Sequence, residues 1–282
     1  MCELMKNNIK NAPIGVFDSG IGGLTVVKEL IRNLPGEDIV YLGDTARVPY
    51  GTKSGRTVIA YSRSNTEFLI SKGIKLLVVA CNTASSVSIP SLRAEFDMPV
   101  LGVIEPGTKK AVEVTNKNKI GVIGTPSTIN SGAYTKAIEN LNPDIKVISE
   151  ACPLFVPLAD EGWVEGEIVE GIAKEYLNPI KDSGIDVLVL GCTHYPLLKN
   201  MIQKIVGDEI TLVDSAQETA SQIKQILVKK DLLNDSKTPS ERDFYLTDVS
   251  DTFISVAGRF LGEKIDKIEM VDIVGTTARP SL

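Results

Sequence analysis

The chain repeats itself, and the repeat carries a thiol. Leu76-Leu77-Val78-Val79-Ala80-Cys81-Asn82-Thr83 and Val187-Leu188-Val189-Leu190-Gly191-Cys192-Thr193-His194 are both short apolar runs that stop at a cysteine and continue into small polar residues. Such a run reads as a parallel strand buried on both faces, and the polar residues after it as the cap of a helix. Other landmarks repeat too: Ile14-Gly15-Val16-Phe17-Asp18-Ser19 with Ile120-Gly121-Val122-Ile123-Gly124-Thr125, Val48-Pro49-Tyr50 with Val156-Pro157-Leu158, and Ile104-Glu105 with Val213-Asp214. The offsets run from 106 (Gly15 to Gly121) to 111 (Cys81 to Cys192). A general likeness between α/β halves accounts for the strands. It does not account for a cysteine at the same strand end in both.

The apolar runs Ile14–Phe17, Ile39–Leu42, Leu76–Ala80 and Val100–Ile104 form one set, and Ile120–Ile123, Ile145–Ile148, Val187–Leu190 and Ile210–Val213 the other. Helical patterns lie between most of them, among them Leu24–Leu34, Val58–Ser71, Ala133–Leu141 and Glu167–Ile180. This alternation predicts an α/β fold of two pseudo-symmetric lobes, each a mainly parallel sheet flanked by helices, with a cleft between them. After about Ala216 come a helix, a turn-rich stretch over Asn234–Arg242 and a strand-helix-strand piece (Phe244–Thr247, Asp251–Phe260, Ile265–Val271) expected to complete the first sheet. The first lobe is therefore read as residues 1–105 plus 215–282, and the second as 106–214.

Ligands of open parallel sheets bind beyond the carboxyl ends of the strands. Asp18 and Ser19, Cys81-Asn82-Thr83, Thr125 and Thr128, Glu161, and Cys192-Thr193-His194 all fall there. If the lobes face each other, the two thiols approach one ligand from opposite sides. Inverting a stereocentre by proton transfer needs that arrangement, with a base on one face of the carbon and an acid on the other. A helix N-terminus favours thiolate over thiol, which is the activation expected for both cysteines. His194 lies two residues from Cys192, and Asp18 is placed to face Cys81 from the neighbouring strand end. Helix-terminal N–H groups and the Asn82, Thr83, Ser19 and Thr193 side chains are the available donors for a carbanion-like transition state.

Blander readings weigh against each of these. A cysteine at a strand end is usually a buried structural thiol, and Cys152 before Pro153 is read that way. Asp18-Ser19 also suits a helix cap, a role that coexists with ligand contact. The spacing of Gly20, Gly22 and Gly23 departs from a dinucleotide loop and instead suits close approach to a small anion.

Four segments together resemble the signatures of the glutamate racemases: Phe17-Asp18-Ser19-Gly20-Ile21-Gly22-Gly23-Leu24, Val48-Pro49-Tyr50-Gly51, Ala80-Cys81-Asn82-Thr83-Ala84-Ser85 and Gly191-Cys192-Thr193-His194-Tyr195-Pro196. The resemblance runs from about Ile14 to Val271. It implies cofactor-independent interconversion of L- and D-glutamate, the D-isomer feeding peptidoglycan synthesis. Carried over by motif, Cys81 and Cys192 are the acid/base pair, helped by Asp18 and His194. Asp18-Ser19, Tyr50-Gly51, Asn82-Thr83 and Thr193-His194 hold the amino acid, with Thr125 and Thr128 as further contacts. An auxiliary acid follows the Cys152–Pro157 segment. Of Asp160 and Glu161, Glu161 beside Gly162 is the better match to it.

The alternatives are a racemase of the same superfamily acting on aspartate or a hydantoin, a non-catalytic dicarboxylate-binding protein, and a thiol redox protein. A net charge of −6 with scattered Lys and Arg offers no basic stripe for nucleic acid. One histidine among dispersed cysteines is a poor metal set. No stretch is long and apolar enough to cross a bilayer, and Met1–Pro13 lacks the apolar core of a signal peptide and reads as a disordered extension. A cytoplasmic protein with reduced cysteines, assembled as a homodimer, is the expected setting.

Overall fold

Burial on both faces is what makes the strand runs so uniformly apolar, and each repeat builds its own sheet from them. The structure is a computed structural model that describes residues 9–234, 240–249, 251–265 and 267–273. The first repeat runs β1 (Ile14–Asp18), α1 (Leu24–Asn33), β2 (Ile39–Gly43), α2 (Gly55–Ser71), β3 (Leu76–Val79), α3 (Asn82–Glu95) and β4 (Val100–Gly102). Helix α4 (Ile104–Val114) leads to β5 (Lys119–Gly124), α5 (Pro126–Asn130), α6 (Ala133–Leu141), β6 (Lys146–Ala151), α7 (Phe155–Asp160), α8 (Glu167–Asp182), β7 (Val187–Gly191), α9 (Lys199–Val206) and β8 (Thr211–Asp214). The chain returns through α10 (Ser215–Lys229) to β9 (Arg242–Leu246), α11 (Asp251–Leu261) and β10 (Glu269–Met270).

The first sheet has the order β10-β9-β2-β1-β3-β4 and the second β6-β5-β7-β8. The second is the inner order β2-β1-β3-β4 repeated, so the duplication seen in sequence is a duplication of topology. All eight strand pairings are parallel. Strands β1, β2, β3 and β7 are buried along their whole length, and each fully buried Val, Leu or Ile in them contributes about 1.5–3 kcal/mol. The C-terminal piece joins the edge of the first sheet, as expected, through the β2–β9 pairing.

Most strand ends shift by a few residues, and three differences from the sequence reading matter here. The fourth strand ends at Gly102, because Val103 already has helical backbone angles and Pro106 fits the first turn of α4. Of the run Ile265–Val271, only Glu269–Met270 pairs as a strand. Cys192 is followed by a turn and a short 3₁₀ segment, Tyr195–Leu198, rather than directly by an α-helix. The expected disordered extension falls partly on residues 1–8, and the turn-rich stretch on 235–239; both lie outside the described residues.

The packing also ties the lobes together. Ala159 of α7 sits in the first lobe's core cluster, beside Val256, Ala257 and Phe260 of α11. Thr25 on α1 donates to the backbone oxygen of Thr193, 3.2 Å away. The cleft therefore has a closed floor.

Candidate active site

Residues just beyond the carboxyl ends of strands from both sheets line one cavity of about 350 Å³. Ser19 follows β1, Cys81, Asn82 and Thr83 follow β3, Thr125 follows β5, and Cys192, Thr193 and His194 follow β7; Tyr50 and Gly51 complete the wall. Asp18 and Thr128 are fully buried and absent from the lining. Both thiols thus face a single space, as the symmetric strand ends imply. Among the described residues, no Lys or Arg lines this cavity.

Cys81 is the N-cap of α3, and its sulfur accepts the Ala84 N–H at 3.5 Å. Ser19 Oγ lies 3.5 Å from the same sulfur. The helix terminus does not, however, make this thiol acidic. Burial pushes it up to about 12, with the Asp18 carboxylate adding in the same direction. The balance at Cys81 therefore favours the thiol, where the helix terminus alone favours the thiolate. Asp18 accepts the Gly20 N–H on Oδ2 at 3.1 Å, while its buried Oδ1 makes no hydrogen bond of good geometry among the described residues. Burial raises the Asp18 carboxyl above its ordinary range, against the opposing charge of His194.

Cys192 has a histidine for its neighbour. His194 Nδ1 lies 3.7 Å from its sulfur, and Nε2 lies 3.2 Å from Asp160 Oδ1. Burial works against the imidazolium, but hydrogen bonds to Asp160 and Cys192, reinforced by their charges, hold its pKa well above the usual imidazole value. The ring is wedged edge-on against Phe260 at 5.2 Å between centroids. On its other side is Gly22, where an added Cβ would fall 2.5 Å from Cε1 and Nδ1. An imidazolium locked in this seat is placed to pair with a Cys192 thiolate.

The acid that reaches His194 is Asp160, which corrects the choice of Glu161. Pro153, Val156, Pro157 and Asp160 line the cavity at helical spacing i, i+3, i+4 and i+7. Glu161 falls off that face, is exposed, and lies where the chain leaves α7 for Gly162 in the left-handed region.

The remaining walls are made of neutral groups. Tyr50 is buried with its hydroxyl donating to Asp44 and accepting from Asn65 Nδ2 at 3.1 Å, so its ring and backbone, not its hydroxyl, face the cavity. Thr83, Thr125 and Thr128 form a triangle of hydroxyls 3.0–3.2 Å apart that spans the two lobes. Asn82 Oδ1 accepts a hydrogen bond from Tyr134 of the second lobe at 2.6 Å, and its buried Nδ2 has no acceptor among the described residues. Gly51 leaves room for Thr125, whose Cβ would be 3.0 Å from a Cβ there.

Comparison with known proteins agrees with this geometry. The family model for Asp/Glu/Hydantoin racemase matches residues 14–223. The chain belongs to that racemase family. It is 51% identical over 260 residues to a glutamate racemase of Geobacter metallireducens, covering 92% of this chain and 96% of that one. A glutamate racemase of Syntrophus aciditrophicus is 48% identical over 95% of this chain and 99% of its own length. The crystal structure of glutamate racemase from Francisella tularensis in complex with D-glutamate superposes with a TM-score of 0.89 at 43% identity, covering 94% of this chain and 99% of that one.

Within this racemase-family site, Phe260 and Tyr134 escape sequence reasoning, while Asp160 is passed over for Glu161 and Gly22 is read only as part of an anion-binding loop. The spacing from Pro153 is a signal for Asp160. Gly22, Phe260 and Tyr134 act through contacts between distant segments, for which one sequence carries no periodic mark. Among the described residues, no group of three or more His, Cys, Asp or Glu side chains is arranged to hold a metal ion. No helix among them is long and apolar enough to cross a membrane.

Proposed function

We propose that the chain interconverts L- and D-glutamate by proton transfer between Cys192 and Cys81. One observation carries this reading: the thiols stand at equivalent strand ends of two repeated sheets and line the same cavity. In one direction the Cys192 thiolate, paired with the His194 imidazolium, takes the α-proton. The electron pair left on Cα is delocalised toward the α-carboxylate, and the Cys81 thiol delivers its proton to the opposite face. Cys192 ends as a thiol and Cys81 as a thiolate, which is the state that starts the reverse reaction. Proton exchange with water resets the pair.

The asymmetry of the site fits these roles. Asp18 and burial keep Cys81 protonated and ready to donate. When Cys81 loses its proton, the Ala84 N–H still donates to the sulfur, and the Ser19 hydroxyl, which accepts from the thiol, turns to donate to the thiolate. The α-ammonium of a bound amino acid adds positive charge beside Asp18, which eases that loss. With no Lys or Arg among the described residues of the lining, the two carboxylates of glutamate are assigned to neutral donors: Ser19, Asn82, Thr83, Thr125, Thr193 and the backbone around Tyr50-Gly51, with Thr128 holding the threonine triangle in place. Preorganised neutral donors in a buried site stabilise developing charge strongly.

The proposed lobe boundaries, residue 105/106 and 214/215, are supported by sheet membership, and a cytoplasmic homodimer is the proposed setting. Purified protein offered glutamate, aspartate and hydantoins in a circular-dichroism assay tests the function. Loss of optical activity is expected with either enantiomer of glutamate, with aspartate and hydantoins far slower. Binding of glutamate without loss of optical activity would favour a dicarboxylate-binding protein.

A further inference from the structure

We propose that Tyr134 is a positioning residue for Asn82: its hydrogen bond across the cleft fixes which end of that amide faces the substrate. The inference rests on the glutamate racemase reading above. Tyr134 lies in the first turn of α6, in the second lobe, and is buried. Its ring packs on the strand end just before Cys192, where a Cβ on Gly191 would come within 3.1 Å of Cε2. Its hydroxyl reaches into the first lobe and donates to Asn82 Oδ1 at 2.6 Å. The Ser215 side chain lies beside the same phenol: a Cβ on Gly107 would come within 3.2 Å of Ser215 Cβ and 3.9 Å of the Tyr134 hydroxyl.

An amide has one acceptor end and one donor end, and in a buried site the two are not interchangeable. With Oδ1 held by Tyr134, the amide presents Nδ2, and that nitrogen is buried beside the cavity without an acceptor among the described residues. A substrate carboxylate oxygen is an acceptor of the right kind. Removing the phenol hydroxyl frees the amide to turn its oxygen toward that carboxylate, which repels it. The bond also spans the lobes, so it sets the position of Asn82 relative to Cys192 as well as its orientation.

A double-mutant cycle with Tyr134→Phe and Asn82→Ala tests this, with steady-state racemisation of both enantiomers and thermal unfolding as readouts. Loss of one buried hydrogen bond and the freed amide should raise KM about tenfold, with a smaller change in kcat. In the Asn82→Ala background the same substitution should change KM by less than about twofold, because no amide remains to orient. Ser215→Ala, which loosens the phenol without touching the ring, should follow the same pattern and serves if Tyr134→Phe does not fold. Equal factors in both backgrounds, with an active wild type, would overturn the role of Tyr134 and leave the racemase reading standing. A wild type that does not racemise glutamate would overturn both.

Discussion

Replacing Gly22 with alanine adds one methyl group against the His194 ring. The new Cβ would lie 2.5 Å from His194 Cε1 and Nδ1 and from Thr193 Oγ1, where ordinary contact begins at 3.4 Å, so the ring and the hydroxyl must give way by about 0.9 Å. A shift of that size can open the Cys192–His194 contact, 3.7 Å at rest, to as much as about 4.6 Å, beyond hydrogen-bond reach. A displacement of about 1 Å in catalytic groups costs on the order of 10² in rate. Over-packing costs about 1–3 kcal/mol of stability, which leaves a domain of ordinary stability folded. Gly20→Ala is the control. In the same loop, its Cβ would meet only Val48 Cγ2 at 3.5 Å, and it keeps the N–H that Asp18 accepts. Racemisation by circular dichroism, with thermal unfolding of each variant alongside, should show kcat/KM reduced about 100-fold in Gly22→Ala and within about twofold of wild type in Gly20→Ala. A folded Gly22→Ala protein with wild-type turnover would refute the claim that His194 must hold its seat beside Cys192.

The other predictions follow from charge and burial. Asp160 helps to hold the His194 imidazolium above its ordinary range of about 6.5, so activity should survive past that pH and fall as His194 deprotonates. In Asp160→Asn that alkaline limb should move to lower pH; a pH–rate profile in which it stays put would remove Asp160 from the site. Cys81→Ser and Cys192→Ser should each cut racemisation on the order of 10²–10⁴-fold, since a hydroxyl is a far weaker acid than a thiol. Mirror-image substrates have an equilibrium constant of one, so kcat/KM must fall equally for L- and D-glutamate in each variant, and wild-type rates in either would end the two-thiol assignment. The fully buried Lys75–Glu37 ion pair, 2.5 Å long, ties the start of β3 to the loop before β2. Lys75→Met leaves Glu37 without its cation and should cost about 3–5 kcal/mol in urea unfolding, with KM unchanged. A chelator should leave the rate unaltered; loss of activity restored by added metal would contradict chemistry done by the chain's own groups.

The fold was legible because parallel strands buried on both faces read as unbroken apolar runs, as in Val187–Leu190, and because the repeat marked which runs correspond. The two cysteines were legible for the same reason, since a strand end is a sharp boundary in such a pattern. Charge and register were harder. The choice between Asp160 and Glu161 turns on about 100° of helix rotation, which the motif alone leaves open and the spacing from Pro153 decides. The protonation of Cys81 is a contest between a helix N-terminus and burial beside Asp18, and only the packed structure shows that burial prevails. Tyr134 and Phe260 meet the site across 52 residues in one case and through the C-terminal appendage in the other. No local pattern announces such contacts.

The central claim is that two separate groups handle the two protons, one on each face of the α-carbon. Racemisation of protiated L-glutamate in deuterium oxide, stopped at low conversion and read by mass spectrometry and chiral separation, addresses it directly. The account expects D-glutamate that carries deuterium at Cα while the remaining L-glutamate stays protiated. D-glutamate that retains the original hydrogen, or L-glutamate that fills with deuterium as fast as product forms, would mean that a single group serves both faces.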